Sequence, residues 1–300
     1  MVIPELRVSM VFALLFPGQG AQFRGMGDDL FWRYPGLTRF AAGVLGYDLA
    51  ALCRDDPDGV LGRTLYTQPA LFVVNALHTF EREHHEQRRA DYYLGHSLGE
   101  YNALLAVGAF DFETGLRLVA KRAELMDAAS GGAMTAVMDT PEPRLREIFA
   151  EHDVSGVDIA AYNTDQQLVI AAPDEVLRAA HAALREHDVR FAPLRVSAPF
   201  HSRYMAPARA EFEEFLRGFT FDTPHTPVIA NTTGRPHRPD GLVEALGQQL
   251  VSPVRWTDSV RHLLSADADL EYQEIGGQAV QRMVTRIRQA TPVATTESRE

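Results

Sequence analysis

Short apolar runs and longer amphipathic segments alternate along the chain. Val11–Phe16 and Tyr92–Leu94 have the length of buried strands. The segments between and after them repeat their apolar residues at helical spacing, which predicts helices over Leu30–Leu52, Ala70–Arg89 and Phe112–Ala129. Similar alternation resumes after residue 197, with strands predicted at Pro227–Asn231 and Glu271–Ile275. Strands that alternate with helices are typical of an α/β fold with a parallel sheet.

A different pattern fills residues 133–196. Its predicted elements follow the order β-α-β-β-α-β, which is typical of ferredoxin-like folds. They are strands at Met134–Met138, Val157–Ala161, Gln167–Ala172 and Val189–Val196, with helices at Pro143–His152 and Asp174–His187. We therefore expect a small ferredoxin-like domain, residues 133–196, inserted into a large α/β domain formed by residues 1–132 and 197–300.

Composition removes several classes of function. The net charge of −11 argues against a nucleic-acid-binding protein, because phosphate contacts need a basic surface. No apolar run approaches the roughly 20 residues of a membrane span, so no membrane association is expected. The single cysteine, Cys53, excludes an internal disulfide and a cysteine-rich metal site. It also fits a reducing compartment, so we expect a cytoplasmic protein without a bound metal.

The strongest local signal is Asp91–Ala106, with the sequence DYYLGHSLGEYNALLA. An apolar run, a Gly-x-Ser-x-Gly turn and a helix-patterned segment together predict a nucleophile elbow. The glycines that flank Ser97 remove the Cβ atoms that would clash in so tight a turn. The helix that follows aims its N-terminal N–H groups at the serine oxygen, where negative charge develops during acyl transfer. The alternative is a glycine-rich turn with an idle serine.

A serine nucleophile needs a base, and two histidines are candidates. His96 is adjacent to Ser97 in sequence, but neighbours along an elbow point in different directions. His201 follows Pro199-Phe200, where the inserted domain returns to the large one, and it is the better candidate. No aspartate has the spacing of a hydrolase triad, and a backbone carbonyl could orient the imidazole instead.

Six motifs now identify a resemblance. FPGQGAQ, TQPAL, GHSLGE, KRAELM, APFHS and SPVRW occur in the order found in malonyl-CoA:acyl-carrier-protein transacylases and polyketide-synthase acyltransferase domains. The resemblance runs from about Phe16 to about Gly277. It is strongest toward the free-standing acyltransferases that serve polyketide synthases in trans. It implies an α/β-hydrolase-like large domain with the ferredoxin-like insert.

The resemblance also implies catalytic roles. Ser97 would take the acyl group from a thioester, and His201 would be the general base and acid. The main-chain carbonyl of Gln249 would orient His201. The backbone N–H groups of Gln19 and Leu98 would form the oxyanion hole.

Four further residues would bind the substrate by the same resemblance. Arg122 would pair bidentately with the free carboxylate of a malonyl unit, which lysine could not do. Phe200 in FHS is typical of malonyl selectivity, because its ring can crowd an α-methyl branch. Gln68 and Asn163 would line the pocket.

Three positions depart from the family pattern: Ala123, Pro199 and the segment Glu274–Met283. The last of these lies near the pocket in the family, so a larger acyl group is an alternative to malonyl. Arg282 and Arg286 share a helix face and could help to dock an acidic carrier protein. The alternative is a solvated helix face.

We therefore expect an acyltransferase of polyketide biosynthesis with no bound cofactor. Its substrates would be a coenzyme A thioester, or an acyl-carrier donor, and the phosphopantetheine thiol of an acyl carrier protein. Three alternatives remain: transfer of a larger acyl or aminoacyl chain between two carrier proteins, thioester hydrolysis of stalled carriers, and a non-catalytic carrier-docking module.

Overall fold

A computed structural model describes residues 10–86 and 88–291 of the protein. The ends of the predicted large domain, 1–9 and 292–300, lie outside the described residues. A five-stranded sheet organises the larger part of the structure, with the strand order β8-β7-β2-β1-β9. Its strands are β1 (Phe12–Phe16), β2 (Tyr92–Gly95), β7 (Val228–Ala230), β8 (Arg235–Pro236) and β9 (Glu271–Glu274).

Four strands of this sheet are parallel, and β8 pairs with β7 antiparallel at one edge. β1 is buried along its whole length at the centre. Because parallel strands end at one edge of the sheet, the loops after β1, β2 and β7 are brought together there. The helices around this sheet are α1 (Asp28–Phe31), α2 (Pro35–Leu45), α3 (Leu49–Asp55), α4 (Thr64–His85), α5 (Gly99–Ala106), α6 (Phe112–Ala128), α9 (Ala206–Leu216), α10 (Leu242–Gln249), α11 (Trp256–Ala266) and α12 (Ala279–Ala290).

A four-stranded antiparallel sheet forms the second part, with the strand order β4-β5-β3-β6. Its elements are β3 (Gly132–Met138), α7 (Glu142–Glu151), β4 (Asp158–Thr164), β5 (Gln167–Pro173), α8 (Asp174–Glu186) and β6 (Phe191–Pro193). This is the predicted β-α-β-β-α-β order. The domain boundaries at residues 133 and 196 stay a prediction.

Side chains alternate between the two faces of this small sheet, as the pleat requires. Leu168 and Ile170 join a core formed with α7 and α8. Val169 and Ala171, between and beyond them, join the core of the larger part. The main chain adds a further connection, because the N–H of Tyr162 donates to the Val254 carbonyl at 2.9 Å. The SPVRW segment is thereby held against β4.

Two helix predictions are wrong. The segment predicted as one helix over Leu30–Leu52 forms three, because Gly46 adopts a left-handed φ of 78° and ends α2 there. Asp48 then starts α3 by accepting a hydrogen bond from the Ala51 N–H. The bounds of the helix predicted over Ala70–Arg89 are also wrong, since α4 begins at Thr64, ends at His85 and has Pro69 inside it. Burial on most sides of α4 holds the helix despite the hydrogen bond that proline removes.

Candidate active site

The elbow forms where β2 passes into α5. A methyl group on Gly95 would lie 1.8 Å from the carbonyl carbon of Gly99, so only glycine permits this approach. Ser97 sits between them with a φ of 51°, in the left-handed region that costs a non-glycine residue about 1–2 kcal/mol. Such strain persists only where surrounding contacts fix the backbone. The turn directs the serine hydroxyl into a cavity at the edge of the large sheet.

His201 lies next to the elbow at the same cavity, although it is 104 residues from Ser97 in the sequence. The Ser97 hydroxyl and His201 Nε2 are 2.8 Å apart, and His201 Nδ1 is 2.8 Å from the main-chain oxygen of Gln249. A carbonyl oxygen can only accept, so Nδ1 carries the proton and donates it. Nε2 is therefore the unprotonated nitrogen, and the Ser97 hydroxyl donates to it.

The environment keeps the His201 imidazole neutral. Burial, and then the positive charge of Arg122, lower its pKa to about 3. Its backbone is also held in the left-handed region, with a φ of 58°. Both members of the Ser97–His201 pair thus sit on constrained backbone, which fixes where their reactive atoms meet.

Arg122 approaches the same serine from α6. Its guanidinium donates to the Ser97 hydroxyl at 3.0 Å, to Gln68 Oε1 at 2.6 Å and to Gln249 Oε1 at 2.9 Å. The side chain is 1% exposed and lies over the Tyr101 ring. Burial lowers its pKa from the usual value. Among the described residues it forms no ion pair, so a buried cation faces the cavity with only neutral partners.

Gln19 and Leu98 both border the cavity beside Ser97. Gln19 belongs to the loop after β1, and its side chain donates to the Thr64 hydroxyl at 3.1 Å. Within the described part of the chain, the backbone N–H groups of Gln19 and Leu98 donate to no protein acceptor. Two amide donors near the nucleophile are the arrangement that stabilises a tetrahedral oxyanion.

The cavity has a volume of about 290 Å³ and is walled largely by apolar side chains. Phe200, which is buried, and Asn163 both line it. Asn163 Oδ1 lies 2.9 Å from His96 Nε2, so the histidine beside the nucleophile is engaged with the small sheet. The wall also includes residues from the small sheet, from the segment after β6 and from the first half of α12: Met134, Ala136, Ala161, Val169, Leu194, Val196, Ala279, Val280 and Met283.

Arg282 and Arg286 are exposed on α12. Arg286 borders a neighbouring cavity together with Arg190, but Asp139 and Asp165 border it too. This second cavity is therefore mixed in charge, and carrier docking by the two α12 arginines stays a prediction.

Over residues 10–86 and 88–291, no three or more His, Cys, Asp or Glu side chains are arranged to hold a metal ion. Nor does any helix in these ranges have the length and apolar character needed to cross a membrane.

The sequence reasoning missed one residue that contacts the elbow. Asn231 Oδ1 accepts a hydrogen bond from the Ser97 N–H at 2.6 Å, and its amide donates to the Gly95 carbonyl at 2.6 Å. Asn231 directly follows β7. Sites in α/β folds lie at the carboxyl ends of parallel strands, so its position after a predicted strand is a signal that could have found Asn231.

The comparisons with known proteins agree on one family. The family model described as "Acyl transferase domain" matches residues 13–286. The polyketide biosynthesis protein ThaF of Burkholderia thailandensis is 49% identical over 265 residues, covering 88% of this chain but only 23% of ThaF. The polyketide biosynthesis malonyl CoA-acyl carrier protein transacylase BaeC of Bacillus velezensis is 43% identical over 280 residues, covering 92% of this chain and 96% of BaeC.

A solved structure supports the same assignment. The malonyl CoA-acyl carrier protein transacylase from Burkholderia pseudomallei superposes with a TM-score of 0.92 at 45% identity, covering 95% of this chain and 100% of that one. The predicted fold class, an α/β-hydrolase-like part with a smaller ferredoxin-like part, is confirmed by this match.

Proposed function

The chain belongs to the acyl transferase domain family, and we propose that it moves a malonyl group from coenzyme A to an acyl carrier protein in polyketide biosynthesis. The observation that carries the proposal is Arg122. A buried guanidinium, without an ionic partner among the described residues, lies 3.0 Å from the Ser97 hydroxyl. Burying an unpaired cation is costly, and an acyl donor that ends in a carboxylate would supply the missing charge. The names of the relatives point to the same substrate.

The first half-reaction follows from the geometry at Ser97. As the hydroxyl oxygen attacks the thioester carbonyl carbon, its proton passes to His201 Nε2. The backbone N–H groups of Gln19 and Leu98 hold the negative charge that develops on the carbonyl oxygen. The carbon–sulfur bond then breaks, and the coenzyme A sulfur accepts the proton that His201 took from Ser97. The acyl group remains on Ser97 as an ester.

The second half-reaction runs the same steps in reverse order with a different thiol. The phosphopantetheine thiol of the carrier protein gives its proton to His201 Nε2 and attacks the acyl-serine. Ser97 leaves with that proton, and the carrier holds the new thioester. The chain needs no bound cofactor for either half. A cytoplasmic location remains part of the proposal, because the one cysteine, Cys53, is buried and unbridged.

The test is the acyl-enzyme itself. Intact-mass spectrometry after incubation with malonyl-CoA should find one malonyl group on the protein, and Ser97→Ala should find none. Addition of a phosphopantetheinylated carrier protein should remove the adduct from Ser97 and move it to the carrier. Release of free malonate at the same rate without a carrier would instead assign thioester hydrolysis.

The composition of the cavity wall favours a second candidate. Val280 and Met283, in the segment that departs from the family pattern, line the cavity together with apolar residues of the small sheet. An apolar wall suits a longer acyl chain, which would be moved between two carrier proteins by the same Ser97 chemistry. A panel of acyl-CoA and acyl-carrier donors, read as mass added to Ser97, separates the two candidates.

A further inference from the structure

A buried carboxylate lies close to the Ser97–His201 pair but does not line the cavity. Glu100, on α5, is 1% exposed. One of its oxygens accepts from the Gln249 side-chain amide at 2.8 Å and from the Asn231 N–H at 3.1 Å. The other oxygen lies 2.6 Å from His237 Nε2. Among the described residues, His237 is the only group able to carry a positive charge that contacts Glu100.

The pair is enclosed. The side chains of Glu100 and His237 are 2% and 4% exposed. Removing His237 leaves one oxygen of a buried carboxylate without its hydrogen-bond partner, which costs more than an exposed ion pair is worth. Contact with His237 therefore fixes the position of the Glu100 carboxylate. The carboxylate in turn fixes the Asn231 N–H and the Gln249 side-chain amide, which donate to it.

Asn231 and Gln249, the two residues that donate to Glu100, also contact Ser97 and His201. Asn231 accepts from the Ser97 N–H at 2.6 Å. The Gln249 side-chain amide donates to the Ser97 carbonyl at 3.1 Å, and the Gln249 main-chain oxygen accepts from His201 Nδ1 at 2.8 Å. Every orientation is forced, because each amide nitrogen faces an acceptor and Asn231 Oδ1 faces an N–H donor. The backbone of the nucleophile and the imidazole of the base thus share one anchor.

We propose that Glu100 and His237 are positioning residues for the reaction at Ser97. They keep the strained elbow and the His201 ring in register, through Asn231 and Gln249. They touch neither the acyl group nor the reacting atoms. The inference rests on the proposed function only in naming the reaction, since the geometry it explains is that of the Ser97–His201 pair.

The test uses a fluorophosphonate, which reports on the nucleophilicity of Ser97 with no acyl donor. The serine oxygen forms a bond to phosphorus, fluoride leaves, and the serine proton passes to His201. His237→Phe should slow this labelling by about 10- to 100-fold, since small misplacements of reacting groups cost up to about 100-fold. His225→Phe, at an exposed histidine away from the site, is the matched control and should label as the wild type does.

Rescue separates positioning from simple destabilisation. The double variant Glu100→Gln with His237→Phe buries no unpaired charge, so it should label faster than His237→Phe, within about 3- to 10-fold of the wild type. With malonyl-CoA as donor, the loss in His237→Phe should fall on the rate of Ser97 acylation, with the KM changed by less than about twofold. A purely structural role would lower the Tm and leave the labelling rate of the folded protein unchanged.

The proposal is overturned if folded His237→Phe is labelled at the wild-type rate. It is also overturned if the double variant is labelled no faster than His237→Phe. Where His237→Phe does not fold, a folded double variant that labels at the wild-type rate overturns it equally. A wild-type protein that reacts with the fluorophosphonate but not with malonyl-CoA refutes the proposed function alone, and the positioning test still stands.

Discussion

Truncation of Arg122 should change which acyl donor the enzyme prefers. In the free protein the guanidinium touches the Ser97 hydroxyl, Gln68 and Gln249, all of them neutral. A malonyl carboxylate would add a bidentate, charge-assisted contact in a site where Arg122 is fully buried. Acetyl-CoA has no carboxylate and cannot make that contact. Arg122→Ala should therefore penalise malonyl-CoA far more than acetyl-CoA.

The size of the effect follows from the burial of the contact. Truncating one partner of a buried, hydrogen-bonded charge pair costs about 2–5 kcal/mol, which is about 30- to 4,000-fold at 1.4 kcal/mol per factor of ten. For acetyl-CoA, Arg122→Ala removes hydrogen bonds to neutral groups only, and of these the one to Ser97 alone involves the reacting oxygen. Its loss is worth about 1 kcal/mol, or roughly fivefold in rate. The preference for malonyl over acetyl should fall by about 10- to 1,000-fold. Arg122→Lys should lie between, since lysine retains the charge but not the planar fork.

The assay is the initial rate of acyl-Ser97 formation with each donor, measured by quenched flow and intact mass. Arg117→Ala is the matched control, because Arg117 lies on the same helix, is exposed and pairs with Glu113. It should leave both rates unchanged. Equal losses with malonyl-CoA and acetyl-CoA would refute the role of Arg122 as a carboxylate clamp and would favour transfer of a larger acyl chain.

Three further predictions test other parts of the site. Because burial and Arg122 lower the pKa of His201 to about 3, the rate of Ser97 labelling should show no inflection near pH 6.5. His201 should also make the free energy of unfolding decrease as the pH is lowered from about 6.5 to 3, because in this range the unfolded chain takes up a proton that the folded protein does not. Phe200→Ser should raise the methylmalonyl-to-malonyl adduct ratio in a two-donor competition by about tenfold or more, since one methyl group in a pocket is worth 10- to 200-fold. Gly95→Ala should yield no folded protein, because its Cβ would overlap the main chain of Gly99, whereas Gly36→Ala, with open space around it, should fold normally by circular dichroism.

Local patterns were enough to predict the elbow but not its partners. Ser97 is flanked by a strand and a helix that the pattern of apolar residues marks directly. His201 lies 104 positions away and has no such signature. Its place at the return from the inserted domain made it the better of two candidate bases, and the resemblance then assigned its role. The helix error at Leu30–Leu52 has a related cause. Apolar spacing continues across Gly46, and the left-handed turn there depends on backbone geometry that spacing does not record.

Side-chain networks were the least predictable feature. The hydrogen bond from Gln249 to Glu100 joins residues 149 positions apart, and neither residue belongs to a repeating pattern. Resemblance assigned a role to the main-chain oxygen of Gln249, as the group that orients the predicted base His201. It gave no reason to expect that the side chain of the same residue reaches Arg122 and Glu100. Such contacts arise from packing among distant elements.

The low basicity of His201 gives a reason why the acyl group would pass to a thiol rather than to water. His201 is buried and Arg122 lies close by, and both disfavour the imidazolium form. The main-chain carbonyl that accepts from Nδ1 carries no full negative charge to offset them, as a carboxylate would. A weak base can deprotonate a thiol, with a pKa of about 8.5, far more readily than water, with a pKa of about 15.7. A thiolate also leaves with little help from an acid. A malonyl carboxylate bound to Arg122 would offset the charge that lowers the His201 pKa, so the base would strengthen only when a matching acyl group is in place. The site can thus favour carrier thiols over water without excluding water physically.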